Sequence, residues 1–259
     1  MMYQGTIVPL ITPLDGGAVA EKGVQRLIES VRGEVTGLMP TLSSGEGWAL
    51  SEQQWLDMVS YTIRHANGLP VLSGIQLPDT KSVIERSLVA EDLGVSAVVV
   101  TTPFGADVSQ DAILAHYREL RAAVQVPIFL YNEQALSGNH IAVETLLRIC
   151  QLPGIAGIKE SSGDAALTSR IAAELSIPVF EGWENLLSEV TGVAGLIGPL
   201  ANLEPGLCNA MLAEPSADRQ AAINAACEKY GVFKDDWYRW VKQELRSRGV
   251  IDSDEVVAT

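Results

Sequence analysis

Basic residues are scarce. The 259-residue chain holds 18 Lys and Arg against 32 Asp and Glu, for a net charge of −14. A field of that sign repels polyanions and argues against nucleic acid or an anionic membrane as partner. A small anionic substrate must then be caught by local hydrogen bonds. Cysteine is thin as well. Cys150, Cys208 and Cys227 are odd in number, widely spaced and without a CxxC pair. They read as buried or idle thiols of a reducing compartment, not as a disulfide framework. The histidines, His65, His116 and His140, share no ligand spacing with each other or with cysteine, so no metal site is expected. No signal peptide is visible, and no apolar run is long enough to cross a bilayer. A soluble cytoplasmic protein without a cofactor is the expectation.

Lysine is rarest through the middle of the chain. Lys159 is the only one between Lys81 and Lys229, and it ends the short apolar run Gly154-Ile155-Ala156-Gly157-Ile158. Such a run is the pattern of a strand buried on both faces. A lysine at its C-terminal end sits partly out of water. Desolvation lowers an ammonium's pKa, which is what a Schiff-base nucleophile needs. The plain alternative is a lysine that snorkels to the surface. The residue alone does not decide between them.

What is abundant is alternation. Apolar runs predict strands over 6–11, 37–42, 70–74, 97–101, 127–131, 155–159, 178–181 and 192–197, with amphipathic stretches between them. Val24, Leu27, Ile28 and Val31 carry the helical spacing, and Trp55, Met58, Val59 and Ile63 repeat it. Ser51 is placed to cap the second helix, and Gly33 and Gly94 to end the first and third. Eight strands alternating with helices predict a closed parallel (β/α)₈ TIM barrel over residues 1–205. An open doubly wound sheet is the alternative, but no GxGxxG follows the first strand. The seventh unit is the weakest, because only 184–191 remain for its helix. Helical stretches beyond Pro205 predict a C-terminal extension over 206–259, whose acidic end, from Asp252, is expected to fray.

Barrel chemistry sits at the C-terminal ends of the strands. Those ends collect Ser43, Ser44, Gly45 and Glu46 after strand two, and Tyr131, Asn132 and Glu133 after strand five. Lys159 and Ser161 follow from strand six, Gly182, Trp183 and Glu184 from strand seven, and Ile197 from strand eight. One amine, one phenol and a hydroxyl cluster suit a carbonyl substrate that also carries a carboxylate. Each has a duller explanation: Ser-Gly clusters are commonly loops, Tyr131 could be a core aromatic, and Glu133 and Glu184 could be solvated rim charges. Their order and placement together argue for a site.

These residues resemble the dihydrodipicolinate synthase/N-acetylneuraminate lyase family of class I aldolases. Gly5–Pro13 looks like the family's opening strand, and Ser43-Ser44-Gly45-Glu46 is similar to its carboxylate-binding motif. Thr102-Pro103-Phe104 matches a family turn, and Tyr131-Asn132 its Tyr-Asn pair. Gly157-Ile158-Lys159-Glu160-Ser161-Ser162-Gly163-Asp164 matches the lysine motif almost letter for letter. The resemblance implies an imine between Lys159 and pyruvate or another 2-oxo acid, with Tyr131 moving protons and Ser43 and Ser44 holding the carboxylate. A homodimer or homotetramer is implied too.

The departures bear on the second substrate. The relay tyrosine that dihydrodipicolinate synthases place after the Thr-Pro-Tyr/Phe turn is Gly105 here. Their carboxylate-binding arginine falls in Ala135-Leu136-Ser137-Gly138, where no cation replaces it. Both argue against dihydrodipicolinate synthesis. The expected activity is therefore a pyruvate-type class I aldolase, cleaving or condensing a small polar aldehyde. Lys159, Tyr131 and Ser44 are its expected catalytic residues. Ser43, Ser44, Gly45, Glu133, Ser161, Gly182, Glu184 and Ile197 are the expected substrate contacts. A dehydratase acting on 2-oxo-3-deoxy sugar acids through the same imine is the alternative, and a non-catalytic 2-oxo acid binder is the alternative from another class.

Overall fold

The computed structural model describes residues 3–257. Its barrel strands are β1 (Gly5–Pro9), β2 (Gly37–Met39), β3 (Leu72–Ile75), β4 (Ala97–Thr101), β5 (Ile128–Asn132), β6 (Ile155–Glu160), β7 (Val179–Glu181) and β8 (Gly195–Leu196). Neighbours pair in parallel in the order β2-β1-β8-β7-β6-β5-β4-β3. One parallel bridge, Leu38 to Val71, joins the two ends of this sheet. Beside it Leu38 N donates to Pro70 O at 2.9 Å and Gly74 N to Pro40 O at 2.9 Å. The ring closes there, and the expected TIM barrel forms.

Alternation along each strand divides the core in two. Ile7, Met39, Leu72, Ala97, Val99, Phe129, Tyr131, Phe180 and Ile197 belong to one buried cluster, which fills the barrel. Their neighbours Val8, Leu38, Val98, Val100, Ile128, Leu130, Ile158 and Val179 belong to the other, with the helices. A period of two produces both sets from uninterrupted apolar runs.

The surrounding helices are α1 (Glu21–Val31), α2 (Glu52–His65), α3 (Thr80–Leu93), α4 (Gln110–Ala123), α5 (Val143–Cys150) and α6 (Ala165–Glu174). Val24, Leu27, Ile28 and Val31 are the buried stripe of α1, as their spacing predicts. Ser51 and Gln54 form a capping box at the start of α2, and Gly94 ends α3 in the left-handed conformation. In the seventh unit only a 3₁₀ turn, Glu184–Leu186, occupies the helical position.

The chain after the barrel covers what that short unit leaves open. Helix α7 (Pro205–Ala213) packs on β1 and β8, and α8 (Ala217–Lys229) packs on the Glu184–Leu186 turn. There Gln220 Nε2 donates to Glu184 O at 2.9 Å, and Ser188 N donates to Gln220 Oε1 at 2.8 Å. Helix α9 (Trp237–Ser247) packs on the 3₁₀ turns Ser43–Gly45 and Pro199–Asn202. The acidic end does not fray over the described residues; it is docked. Val257 is buried and its N–H donates to Glu46 Oε2 at 2.7 Å, while Gly17 N donates to Glu255 Oε1 at 2.9 Å. A buried carboxylate at Glu46 needs donors, and the tail supplies one. Residues 258 and 259 lie outside the described residues.

Candidate active site

The barrel's register brings the amine and the phenol together. Tyr131 on β5 and Lys159 on β6 are directly paired residues, and both point inward. A bulge makes this possible. Ile128 pairs with Ile155 but Phe129 pairs with Gly157, so Ala156 is an extra residue on β6. Without it Tyr131 would sit opposite Ile158, whose side chain packs among the helices. The layer below is completed by Gly157: a Cβ there would come within 2.4 Å of the Phe129 ring, which fills the space instead.

Lys159 and Tyr131 are both buried. Lys159 Nζ donates to Tyr131 Oη at 3.2 Å and lies 4.2 Å from the ring centroid. Burial is the main cause that brings the Lys159 pKa from 10.5 down to about 8, against the opposing pull of Glu133, Glu184 and Glu181. A sizeable fraction of this amine is therefore neutral near pH 7–8, as nucleophilic attack on a carbonyl requires. Tyr131 is held well above its ordinary value, first by burial and then by the Glu133 charge. It is a phenol at neutral pH, able to donate a proton but not to lose one to bulk water.

The loop after β2 forms the opposite wall. Ser43, Ser44 and Gly45 make a single 3₁₀ turn, flanked by Thr41 and Glu46, both non-glycine residues at positive φ. Such backbone persists only where surrounding bonds hold it. Thr41 Oγ1 donates to Gly74 O at 2.9 Å, Thr12 Oγ1 donates to Gly45 O at 2.7 Å, and Glu46 accepts from Lys242. Ser43 Oγ accepts from Gln76 Nε2 at 2.7 Å and lies 3.3 Å from Tyr131 Oη.

A cavity of about 360 Å³ opens above these groups. Ser43, Ser44, Tyr131, Glu133, Lys159, Ser161, Gly182 and Glu184 all line it. Of the residues named from sequence, Gly45 and Ile197 lie beside the cavity without lining it; Ile197 is part of the barrel filling. Gly182 has a steric reason to be glycine, since a Cβ would fall 1.9 Å from Ser161 Oγ. Among the described residues the buried Ser161 hydroxyl has no partner in hydrogen-bonding geometry. Glu184 is buried with Oε1 accepting from Leu200 N at 2.8 Å, and burial raises its pKa.

The mouth is where the structure adds most to the sequence. Trp183 borders it, its Nε1 donating to Ser161 O at 2.9 Å. Val232, Phe233, Lys234 and Asp235, from the segment between α8 and α9, and Trp237, the first residue of α9, border it too. No spacing within that segment marks it as part of a site, since it reaches the barrel rim only through helix packing. It also brings to the mouth a cation that local sequence does not single out. Lys234 is there, with its ammonium 3.2 Å from the Trp240 ring centroid. Among the described residues no helix is long and apolar enough to cross a membrane.

Comparison with known proteins accords with this geometry. The profile of the dihydrodipicolinate synthetase family matches residues 2–256. The 4-hydroxy-tetrahydrodipicolinate synthase of Rhodospirillum centenum is 32% identical over 217 residues, covering 81% of this chain and 74% of that protein. Its counterpart in Parvibaculum lavamentivorans is 32% identical over 215 residues, covering 81% and 74%. Among solved structures, the Acinetobacter baumannii dihydrodipicolinate synthase complexed with pyruvate superposes with a TM-score of 0.88 at 26% identity, covering 98% of this chain and 91% of that one. The Bacteroides thetaiotaomicron dihydrodipicolinate synthase gives 0.87 at 27% identity, covering 98% and 92%.

Proposed function

Because the chain belongs to the dihydrodipicolinate synthetase family and is a class I, pyruvate-dependent carbon–carbon lyase or synthase, we propose that Lys159 forms the imine with pyruvate or a related 2-oxo acid. One observation carries this: a buried lysine, its pKa brought down to about 8, donates to a buried phenol at the cavity floor. The pyruvate complex of the Acinetobacter baumannii relative supports the choice of 2-oxo acid. In this reading Ser43, Ser44 and the backbone at Gly45 hold the substrate carboxylate. The protonated imine draws electrons from the neighbouring carbon, so the bond beyond it can be made or broken. Tyr131 serves the proton transfers.

The second substrate enters from the mouth, past Glu133, Ser161, Gly182 and Glu184, with Ile197 behind them. We read it as a small polar aldehyde other than the one used by dihydrodipicolinate synthases. Gly105 and Ala135-Leu136-Ser137-Gly138 support that, since they supply neither a relay tyrosine nor an arginine. A homodimer or homotetramer working in the cytoplasm completes the reading, with three buried, unpaired cysteines in keeping with a reducing compartment.

The test is borohydride reduction with pyruvate, followed by peptide mass spectrometry. One reduced pyruvate on the peptide holding Lys159, absent from Lys159→Ala, is the expected result. An adduct on another residue, or none with any 2-oxo acid, removes the proposal. Once the adduct is found, a screen of aldehydes identifies the partner.

A further inference from the structure

The hydrogen bonds around the Tyr131 hydroxyl can be ordered in one direction. Gln76 Nε2 donates to Ser43 Oγ at 2.7 Å, which leaves the serine's own hydrogen for Tyr131 Oη, 3.3 Å away. Lys159 Nζ donates to the same oxygen at 3.2 Å. A phenol has one hydrogen to give and limited room to accept. With two donors already aimed at it, Tyr131 directs its hydrogen to Glu133 Oε2 at 3.1 Å. The carboxylate is fixed for this: its other oxygen, Oε1, accepts from Ala135 N at 3.2 Å, because Glu133 caps the one-turn helix Gln134–Ser137. Glu133 is half-buried and borders the cavity. Tyr131 is buried, so a proton leaving its oxygen needs a nearby acceptor, and a carboxylate stands in contact with it.

We infer that Glu133 is the proton store of the Tyr131 hydroxyl, taking the proton removed from the imine-bound 2-oxo acid and returning it to the aldol oxygen. This rests on the Lys159 imine proposed above. The steps balance within the chain. Tyr131 passes its hydrogen to Glu133 as its oxygen removes a proton from the carbon next to the imine. The C–H electron pair moves to form the enamine and neutralises the iminium nitrogen. The enamine carbon then bonds to the aldehyde carbon as the nitrogen lone pair re-forms the iminium, and the carbonyl electron pair goes to oxygen. Tyr131 protonates that oxygen and recovers its hydrogen from Glu133. One proton has moved, net, from carbon to the new hydroxyl, and Glu133 held the balancing hydrogen of Tyr131 in between. Gln76, Ser43, Tyr131 and Glu133 all belong to one chain, and Gln76 is a link that the local sequence does not mark.

The experiment separates proton transfer from imine formation. Glu133→Gln and Glu133→Asp are compared with wild type at pH 9, above the Lys159 value, so that losing the Glu133 charge beside the amine does not enter. Two readouts are taken: the yield of borohydride-trapped pyruvate, and exchange of the pyruvate methyl protons with D₂O followed by NMR. Glu133→Gln is expected to trap pyruvate within about twofold of wild type while exchanging on the order of 10²-fold more slowly. Glu133→Asp should recover part of that rate. Exchange at the wild-type rate in Glu133→Gln overturns the inference. Loss of trapping and exchange together, unrelieved by aspartate, also overturns it and assigns Glu133 to holding the pocket's shape. Failure of trapping in wild type is a different result, and it removes the imine itself.

Discussion

Lys242 and Glu46, 196 positions apart, form an ion pair with neither side chain open to solvent. The pair ties α9 to the loop after β2, one residue beyond Gly45. Lys242 also donates to Glu255 O at 2.7 Å, and the second Glu46 oxygen accepts from Val257 N at 2.7 Å. Burial lowers the Lys242 pKa, while Glu46 pulls against that. Removing one partner of such a pair strands the other charge. Lys242→Ala is expected to cost about 3–5 kcal/mol by denaturant unfolding, and Lys242→Met paired with Glu46→Gln distinctly less. A cost under about 1 kcal/mol for Lys242→Ala would show that the pair carries no structural weight.

The Lys159 value sets a pH dependence for imine formation. Only the neutral amine attacks, so the trapping rate with pyruvate should rise about tenfold per pH unit below 8 and level off above it. Initial rates of adduct formation between pH 6 and 9.5 check this. A flat profile would mean that the amine is already neutral at pH 6.

Glu181 gives a stability prediction of known sign. Burial raises its pKa from 4.5 to about 7, and among the described residues its Oε2 has no partner in hydrogen-bonding geometry. Between those values the folded chain holds a proton that the unfolded chain has released. Glu181 therefore favours the fold most fully below pH 4.5, and that contribution is lost as pH rises to 7. Glu181→Gln removes the penalty and is expected to gain roughly 1–3 kcal/mol at pH 8 and little at pH 4.5. Thermal melts at the two pH values measure the difference. Equal shifts at both would reject the assignment.

Phe233 borders the cavity mouth and is 41% exposed. Its ring contributes little to the core, so Phe233→Ala should leave stability nearly unchanged. The expected effect is on the second substrate, with its KM raised about tenfold for the loss of one aromatic contact. Pyruvate trapping should not move. Steady-state kinetics with the aldehyde found by the screen provide the check; a matching rise in the pyruvate KM would place Phe233 elsewhere in the path.

The parts legible in the sequence were those written locally. The strands show as apolar runs because both faces of a barrel strand are buried, and Lys159 shows because an ammonium interrupts such a run at its end. Tyr131 and Ser43 follow once strand ends are taken as one rim. Local pattern could not show the bulge at Ala156, although the pairing of Tyr131 with Lys159 depends on it. A run that is apolar throughout gives no sign of where its register slips. Gln76, Lys242 and the segment from Val232 to Trp237 were invisible for another reason. Their roles come from contacts between elements far apart in the chain, and nothing in their immediate neighbours announces those contacts. Glu133 reads from sequence as a substrate contact; its bond to the phenol shows only in three dimensions.

The docked tail gives the protein a temporal order. All eight barrel strands have been made once Leu196 is added, before any of the last three helices. The cavity wall at Phe233, the cation at Lys242 and the N–H of Val257 that completes the bonding of Glu46 come later. Until they arrive, the loop holding Ser43 and Ser44 has its bonds from Thr12, Thr41 and Gln76 but not those that reach Glu46 from the tail. The last bonds to Glu46 thus come from residues made after the barrel, and a nick between α8 and α9 would leave them held by packing and hydrogen bonds alone.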